Sequence, residues 1–167
     1  MSLQTSRPVD APSNPIDILE EIVRANDWLY ERTADDDMVV QIAGCWCEYR
    51  LFFTWQTDLG ALAVSCAFDA RVPDARGGEI NDLLAAINES MWLGHFAVYA
   101  HERLPMFRHT IPMRGVRGAS VEQLEDLVDI AVKECDRFFP AFQLVLWGGK
   151  TAAEAMAAAM PEPAGEA

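Results

Sequence analysis

The tripeptide Gly149-Lys150-Thr151 is the stretch of this chain that most resembles a known chemical motif. It matches the end of a phosphate-binding P-loop, in which backbone amides and a lysine hold the phosphates of a nucleotide. The complete motif needs an earlier glycine where this chain has Leu144, and a preceding strand where this chain has a helical pattern. The sequence therefore favours a structural role, in which Gly148 and Gly149 end one helix and Thr151 caps the next.

Histidines and aspartates form two groups that could bind a metal ion. His95, His101 and His109 lie on or beside neighbouring predicted strands and could converge on a metal, but separate positions at the rim of the sheet are favoured because nothing in the sequence fixes their register. The run Asp35-Asp36-Asp37 lacks the spaced oxygen ligands and the glutamate of a calcium loop, so it predicts a solvated turn. We expect neither a metal nor a cofactor.

Cysteine and serine chemistry is not indicated either. The cysteines, Cys45, Cys47, Cys66 and Cys135, fall on predicted strand interiors or a helix face. A C-x-C pair on one strand matches neither zinc nor redox spacing, so reduced core thiols are predicted. No serine or cysteine stands in a nucleophile context such as G-x-S-x-G. The sequence therefore predicts a protein without catalytic residues, not an enzyme.

A basic stretch stands out from an acidic background. Arg103, Arg108, Arg114 and Arg117 fall within fifteen residues that contain no acidic side chain. They lead into the N-terminus of a predicted helix, whose free amides attract anions. One hypothesis is an anion- or partner-binding surface. The alternative is that these arginines offset the protein's own carboxylates.

Length and charge limit the remaining classes. The 167 residues suit a single domain, and acidic residues outnumber basic ones 26 to 13, giving a net charge of −13. Such a charge repels phosphate backbones and anionic lipid headgroups, so nucleic acid and membranes are not expected partners. No apolar run approaches a membrane span, and no signal peptide is recognisable, which predicts a cytoplasmic protein.

The elements that position these residues are organised around a β-meander from Met38 to Val72, where apolar residues alternate with polar ones. One predicted strand carries its apolar face on the residues Cys45, Cys47, Tyr49, Leu51, Phe53 and Trp55. The next carries it on Leu62, Val64, Cys66, Phe68, Ala70 and Val72. Matching the two buried faces places Trp55 opposite Leu62 and Phe53 opposite Val64.

Helical patterns flank the meander. Asn14-Pro15 predicts the start of a first helix, and the periodicity from Ile80 to Met91 predicts a second. The capping box of Ser120 with Gln123 predicts a long third helix, in which Pro140 forces a kink or break. Thr151 and Glu154 repeat the capping box. Together with a strand before Met38 and a hairpin between the second and third helices, the predicted order is α-β-β-β-β-α-β-β-α. The domain is expected over 15–158, between disordered tails at 1–14 and 159–167.

Several short motifs carry a family resemblance. They are Asn81 and Asn88, Gly94-x-Phe96, Arg108, and Gly148-Gly149-Lys150, and with them the chain resembles the YbjN family, described as bacterial sensory transduction regulators. The resemblance implies a fold similar to type III secretion chaperones, an α+β domain with an antiparallel sheet (meander plus hairpin) and helices packed mainly on one face. It implies no reaction and no catalytic residues.

Two functions therefore compete at this point. The favoured one is a non-enzymatic interaction or chaperone-like regulatory domain with a protein partner. The alternative is a small-ligand or anion sensor that uses the Arg103–Arg117 surface. Because type III secretion chaperones are commonly homodimers, the resemblance implies self-association. Trp46 and Phe52, predicted on the second face of the meander, are the candidate interface residues.

The predicted register can be tested by mutation. If Phe53 faces Val64 inside the core, Phe53→Ala should lower the free energy of unfolding by about 3–5 kcal/mol, because it removes a buried ring and leaves a cavity. Chemical denaturation would measure this loss. A variant that melts within about a degree of the parent would mean that the proposed face or register is wrong.

Overall fold

The protein is described by a computed structural model that covers residues 12–159. Its helices are α1 (Pro15–Ala25), α2 (Gly77–Ser90), α3 (Val121–Leu146) and α4 (Ala152–Ala159). Its strands are β1 (Leu29–Ala34), β2 (Asp37–Ala43), β3 (Glu48–Gln56), β4 (Ala61–Ala67), β5 (His95–Tyr99) and β6 (Leu104–Pro112). The predicted α+β class and order of elements are confirmed. None of the helices within 12–159 combines the length and the apolar composition needed to cross a membrane.

The six strands form one antiparallel sheet in the order β1-β2-β3-β4-β6-β5. Strands β1 to β4 make the predicted meander. The chain then passes through α2 to the far edge, and the β5–β6 hairpin returns so that β6 pairs with β4. The predicted register is confirmed, with Phe53 opposite Val64 and Trp55 opposite Leu62.

The helices α1 to α4 lie on one face of the sheet. α3 crosses β4 and β6, α1 packs on β2 and β3, and α2 packs on β5, while α4 rests on α2 and α3. Alternate strand residues pointing to this side are buried, as in β3, where Tyr49, Leu51, Phe53 and Trp55 are all no more than 6% exposed. A cluster of aromatic rings from β5, β6 and α3 fills the centre, with Phe96 touching Phe107, Phe138 and Phe142.

Two boundaries differ from the prediction. β4 ends at Ala67, and Phe68, Ala70 and Val72 are buried in an irregular segment instead of a strand, so their alternation reflects burial alone. Ser13, assigned to the tail, donates its backbone N–H to the Arg117 carbonyl at 2.9 Å, so the domain's contacts begin before residue 15. The rest of the predicted tails, apart from Pro12, Asn14 and Ala159, lies outside the described residues.

Helix α3 does not break at Pro140 but continues through it. A proline inside a helix has no N–H, so the carbonyl four residues earlier loses its helical partner. Here that carbonyl belongs to Asp136, and it accepts a hydrogen bond from the Trp46 indole N–H at 3.0 Å. Hence a side chain from the β2–β3 connection replaces the donor that Pro140 lacks.

The Asp136 carboxylate binds the same connection a second time. Its Oδ1 accepts the Tyr49 hydroxyl at 2.6 Å and the Cys45 backbone N–H at 2.8 Å. A Cβ on Gly44 would overlap the Tyr49 ring and come within 2.8 Å of Asp136 Oδ1, so only glycine fits beside this pair. Asp136 therefore ties α3 to the start of β3 through both its side chain and its backbone.

The Tyr49 phenol is buried, and burial together with the bond to Asp136 raises its pKa above the ordinary value. An unfolded tyrosine ionises near pH 10, so above that pH the unfolded chain releases a proton that the folded chain retains. The Tyr49 contribution to stability is complete below about pH 10 and is lost progressively as the pH rises beyond it.

We expect Tyr49→Phe to lower the free energy of unfolding by about 1–3 kcal/mol at neutral pH, since it removes a hydrogen bond to a carboxylate. Above pH 10 this difference should shrink by up to about 1.4 kcal/mol per pH unit. Urea denaturation as a function of pH measures both effects. Tyr99→Phe is the control, because Tyr99 is exposed. A difference in unfolding free energy between the wild type and Tyr49→Phe that stays constant up to pH 11 would contradict this role of Tyr49.

Candidate functional site: the open face of the sheet

The face of the sheet opposite the helices is left uncovered by the described residues and carries a shallow groove. The groove has a volume of about 490 Å³. It is lined by Arg50, Phe52 and Thr54 of β3, Ser65 and Ala67 of β4, Leu104, Met106 and Arg108 of β6, and Tyr99 and Glu102 at or beyond the end of β5. Three strands and one hairpin turn therefore build it together.

Strand pairing sets the shape of the groove. Ser65 stands between Phe52 and Arg108, and Ala67 stands between Arg50 and Met106. The small side chains of β4 thus form a floor, while the larger side chains of β3 and β6 form two walls. Since neighbouring strands lie about 4.8 Å apart, the walls are about 10 Å from each other.

Phe52 lies in this groove, as its predicted face requires, and it is only partly buried. None of the four helices within 12–159 folds back over it, and α4 packs on α2 and α3. The predicted placement of Trp46 beside Phe52 is wrong. Trp46 lies in the β2–β3 connection and stacks on Phe139 of α3, with ring centroids 6.5 Å apart, so it belongs to the helical side. The alternation of β3 had been extended through residues 44–47, where the chain bends.

The four arginines predicted as one surface are not brought together. Arg103 lies in the β5–β6 turn, where its Nε donates to the Val72 carbonyl at 2.9 Å. Arg114 and Arg117 follow the opposite end of β6, a strand about 30 Å long. Of the four, only Arg108 lines the groove. Proximity in sequence was misleading here because an extended strand separates residues that a helix would keep close.

The groove also contains residues that sequence reasoning did not assign to a site, among them Arg50, Met106 and Tyr99. Arg50 alternates with the predicted apolar face of β3, but the pairing of β6 with β4 was not predicted, and without that pairing the second wall could not be identified. The Arg50 guanidinium lies 6.0 Å from the centroid of the Phe52 ring.

The candidate metal ligands are dispersed. His95 pairs with Arg108 and shares the open face, His109 pairs with Val64 on the helical face, and His101 lies in the hairpin turn. Partial burial, with a smaller effect of His95, lowers the pKa of His109. Among residues 12–159, no three histidine, cysteine or acidic side chains are grouped so that they could hold a metal ion.

The cysteines are free thiols, but only two are core residues. Cys66 and Cys135 are buried, and the Cys135 thiol points to the Cys66 carbonyl at 3.6 Å. Cys45 is exposed and Cys47 is half-buried, because both precede β3 in the bend. The prediction of a core thiol is therefore wrong for Cys45.

The P-loop-like tripeptide ends one helix and starts another. Gly149 has φ of +63°, and the Lys150 N–H bonds to the Leu144 carbonyl at 3.0 Å, which closes α3. The Thr151 hydroxyl accepts the Glu154 N–H at 3.2 Å, which starts α4. The structural interpretation of this stretch is confirmed.

A second, smaller crevice of about 290 Å³ lies between α1 and α3. It is lined mainly by apolar side chains of the adjoining core, such as Ile22 and Val128, with Glu125 and Asp129 at its polar edge. Its lining contains no cation and no serine, cysteine or histidine. The open-face groove is the better candidate.

Comparison with known proteins places this architecture in a family. The model of the YbjN family, described as "Putative bacterial sensory transduction regulator", matches residues 15–144. The chain therefore belongs to the YbjN family. No curated protein matches it.

Among solved structures, the protein is similar to one described as "Crystal structure of YbjN, a putative transcription regulator from E. coli". The TM-score is 0.51 at 12% sequence identity, and the similarity covers 80% of this chain and 90% of that one. At this identity the likeness concerns the fold.

Asn88 and Phe96, two of the residues that carry the resemblance, have a structural role. The Asn88 side-chain amide accepts the Phe96 N–H at 2.7 Å and donates to the Phe96 carbonyl at 3.0 Å. It thereby occupies the backbone groups of β5 at the free edge of the sheet. Together with the α3–α4 cap at Gly149, this contact shows that several motif residues hold the scaffold.

The difference between the two sheet faces can be measured on adjacent residues. We expect Phe52→Ala to lower the free energy of unfolding by about 1 kcal/mol or less, because the ring lies on the open face. Phe53→Ala, one position away on the covered face, serves as the matched comparison. Equal losses in chemical denaturation would show that Phe52 is packed inside the protein.

Proposed function

We propose that this protein is a non-enzymatic regulatory domain that binds a partner polypeptide on the open face of its sheet. The observation that carries the proposal is the groove itself. The helices α1 to α4 lie on the other face, so the described residues leave this face open for contact through Phe52, Leu104, Met106 and Tyr99. Apolar and aromatic side chains on a solvent-facing surface are typical of interaction sites.

Among the described residues, the groove does not pair a hydroxyl with a histidine as a serine nucleophile and its base require. Ser65 is the central hydroxyl of the groove, and His95 is two strands away on the same face, about 10 Å distant. A general base must come within about 3 Å of the group it deprotonates, directly or through one water. The side chains therefore offer a surface for contact, consistent with the regulatory description of the family.

A small-anion sensor is the second candidate. The groove's two arginines, Arg50 and Arg108, favour it. The proposed Arg103–Arg117 surface supports it less, since Arg103 is already bound to Val72 and lies 3.4 Å from Asp74. An open groove whose walls carry both apolar side chains and two separate arginines suits a polypeptide better than a small ion, which needs convergent polar groups.

Affinity purification from the native cell can test the proposed function. The wild-type protein and a Phe52→Glu variant would be compared, with Leu59→Glu as control because Leu59 is 70% exposed in the β3–β4 turn, outside the groove. We expect at least one co-purifying protein to fall about tenfold or more with Phe52→Glu and to remain with Leu59→Glu, since a buried carboxylate at an interface is costly.

Thermal melting of the purified variants checks that Phe52→Glu is folded. If it unfolds, the milder Phe52→Ser replaces it. A partner set that is unchanged by substitutions at Phe52 and Met106 would contradict binding on the open face.

A further inference from the structure

We infer that the groove on the open face binds an extended, acidic segment of the partner, in which apolar side chains are flanked by carboxylates. This inference rests on the proposed function and specifies the chemistry of the partner. It follows from the dimensions of the groove, the positions of its two arginines and the charge of the rest of the chain.

The dimensions suit one extended polypeptide. The floor is the strand β4, with small side chains at Ala63, Ser65 and Ala67, and the walls rise on the strands to either side, about 10 Å apart. An extended chain lying along β4 would place alternate side chains towards this floor, about 7 Å apart. The Phe52 ring on one wall and the Met106 side chain on the other supply apolar contacts.

The two arginines stand on opposite walls. Arg50 is opposite Ala67 and Arg108 is opposite Ser65, so the backbone positions of the two arginines are offset by two residues, or about 7 Å, along the groove. Arginine recognises carboxylates through its planar fork of N–H groups. Carboxylates spaced along an extended segment could therefore meet both arginines.

Neither of these guanidinium groups has a hydrogen bond or ion pair within residues 12–159. Other arginines in the same range are bound to the protein itself: Arg24 to Glu20, Arg32 to Asp17 and Glu20, Arg76 to two carbonyls, and Arg103 to Val72. In a chain with twice as many acidic as basic residues, two unpaired arginines facing one groove are available to an external carboxylate.

Acidic groups lie near both ends of the groove, and at the end away from the hairpin Asp37 pairs with Thr54. At the hairpin end, Glu102 lines the groove beside Tyr99 and Leu104, and Glu48 lies two residues before Arg50 on the same face of β3. Charge therefore changes along the groove from acidic at its ends to basic in the middle. A partner whose carboxylates lie over the middle would gain attraction without meeting Glu102.

A second copy of the chain is a poorer fit. In a two-fold contact the same groove would face itself and bring the Arg50 and Arg108 pairs of both copies together. Each copy also carries a net charge of −13, which opposes association. An acidic segment of another protein avoids the first obstacle, because its carboxylates meet the two arginines with opposite charge.

An array of short random peptides provides the test. We expect the wild-type protein to bind peptides enriched in both aspartate or glutamate and apolar residues. The double variant Arg50→Gln/Arg108→Gln should bind them about tenfold more weakly. Arg114→Gln/Arg117→Gln removes the same charge from the β6–α3 loop, outside the groove, and should leave binding unchanged.

The outcomes separate the two levels of the proposal. The acidic specificity would be overturned if the bound peptides were not enriched in acidic residues, or if both arginine double variants lost the same affinity. If Phe52→Glu still abolished peptide binding in that case, the proposed function would stand. No peptide binding, or binding that Phe52→Glu leaves intact, would count against both. Light scattering that shows a wild-type dimer dissociated by Phe52→Glu would assign the groove to a second copy. NMR shifts in the groove with sulfate and none with peptides would assign it to a small anion.

Discussion

The two-residue period of the strands is the constraint on which this structure depends. In β3, Leu51, Phe53 and Trp55 must point to one side if Arg50 and Phe52 point to the other, because successive side chains alternate. The first set is apolar throughout, so the helices pack over it, and the opposite side is left open. The groove is thus a consequence of how the core is built, and its residues are free to serve binding.

A second constraint comes from Pro140. A proline inside a 26-residue helix removes one backbone hydrogen bond, and the freed Asp136 carbonyl would be unsatisfied if nothing replaced the donor. Trp46 replaces it from the β2–β3 connection, while the Asp136 carboxylate binds Tyr49 and Cys45. The position of α3 across the sheet and the start of β3 are consequently coupled through one residue.

Scaffold and candidate site use different residues. The Asn88 bond to Phe96 and the cap at Gly149 hold α2, β5 and the α3–α4 junction in place, and none of these residues reaches the groove. Likeness within the family can therefore persist in the fold while the groove differs from one member to another. With a solved structure only 12% identical, the chemistry of the groove in this chain has to be derived from its own side chains.

The sequence by itself determined the order of the elements, the buried face of β3 and the β3–β4 register, because alternation and capping are local signals that need no knowledge of distant contacts. It also identified the role of Gly149-Lys150-Thr151. Only the tertiary structure decided that Trp46 lies against α3. That position depends on the Asp136 carbonyl, which Pro140 leaves without a helical partner and which is ninety residues from Trp46 in the sequence. Likewise, the pairing of β6 with β4 placed Arg108 across the groove from Arg50 and separated it from Arg103, Arg114 and Arg117. That pairing joins segments about forty residues apart, and no local pattern specifies which strand a returning hairpin will join.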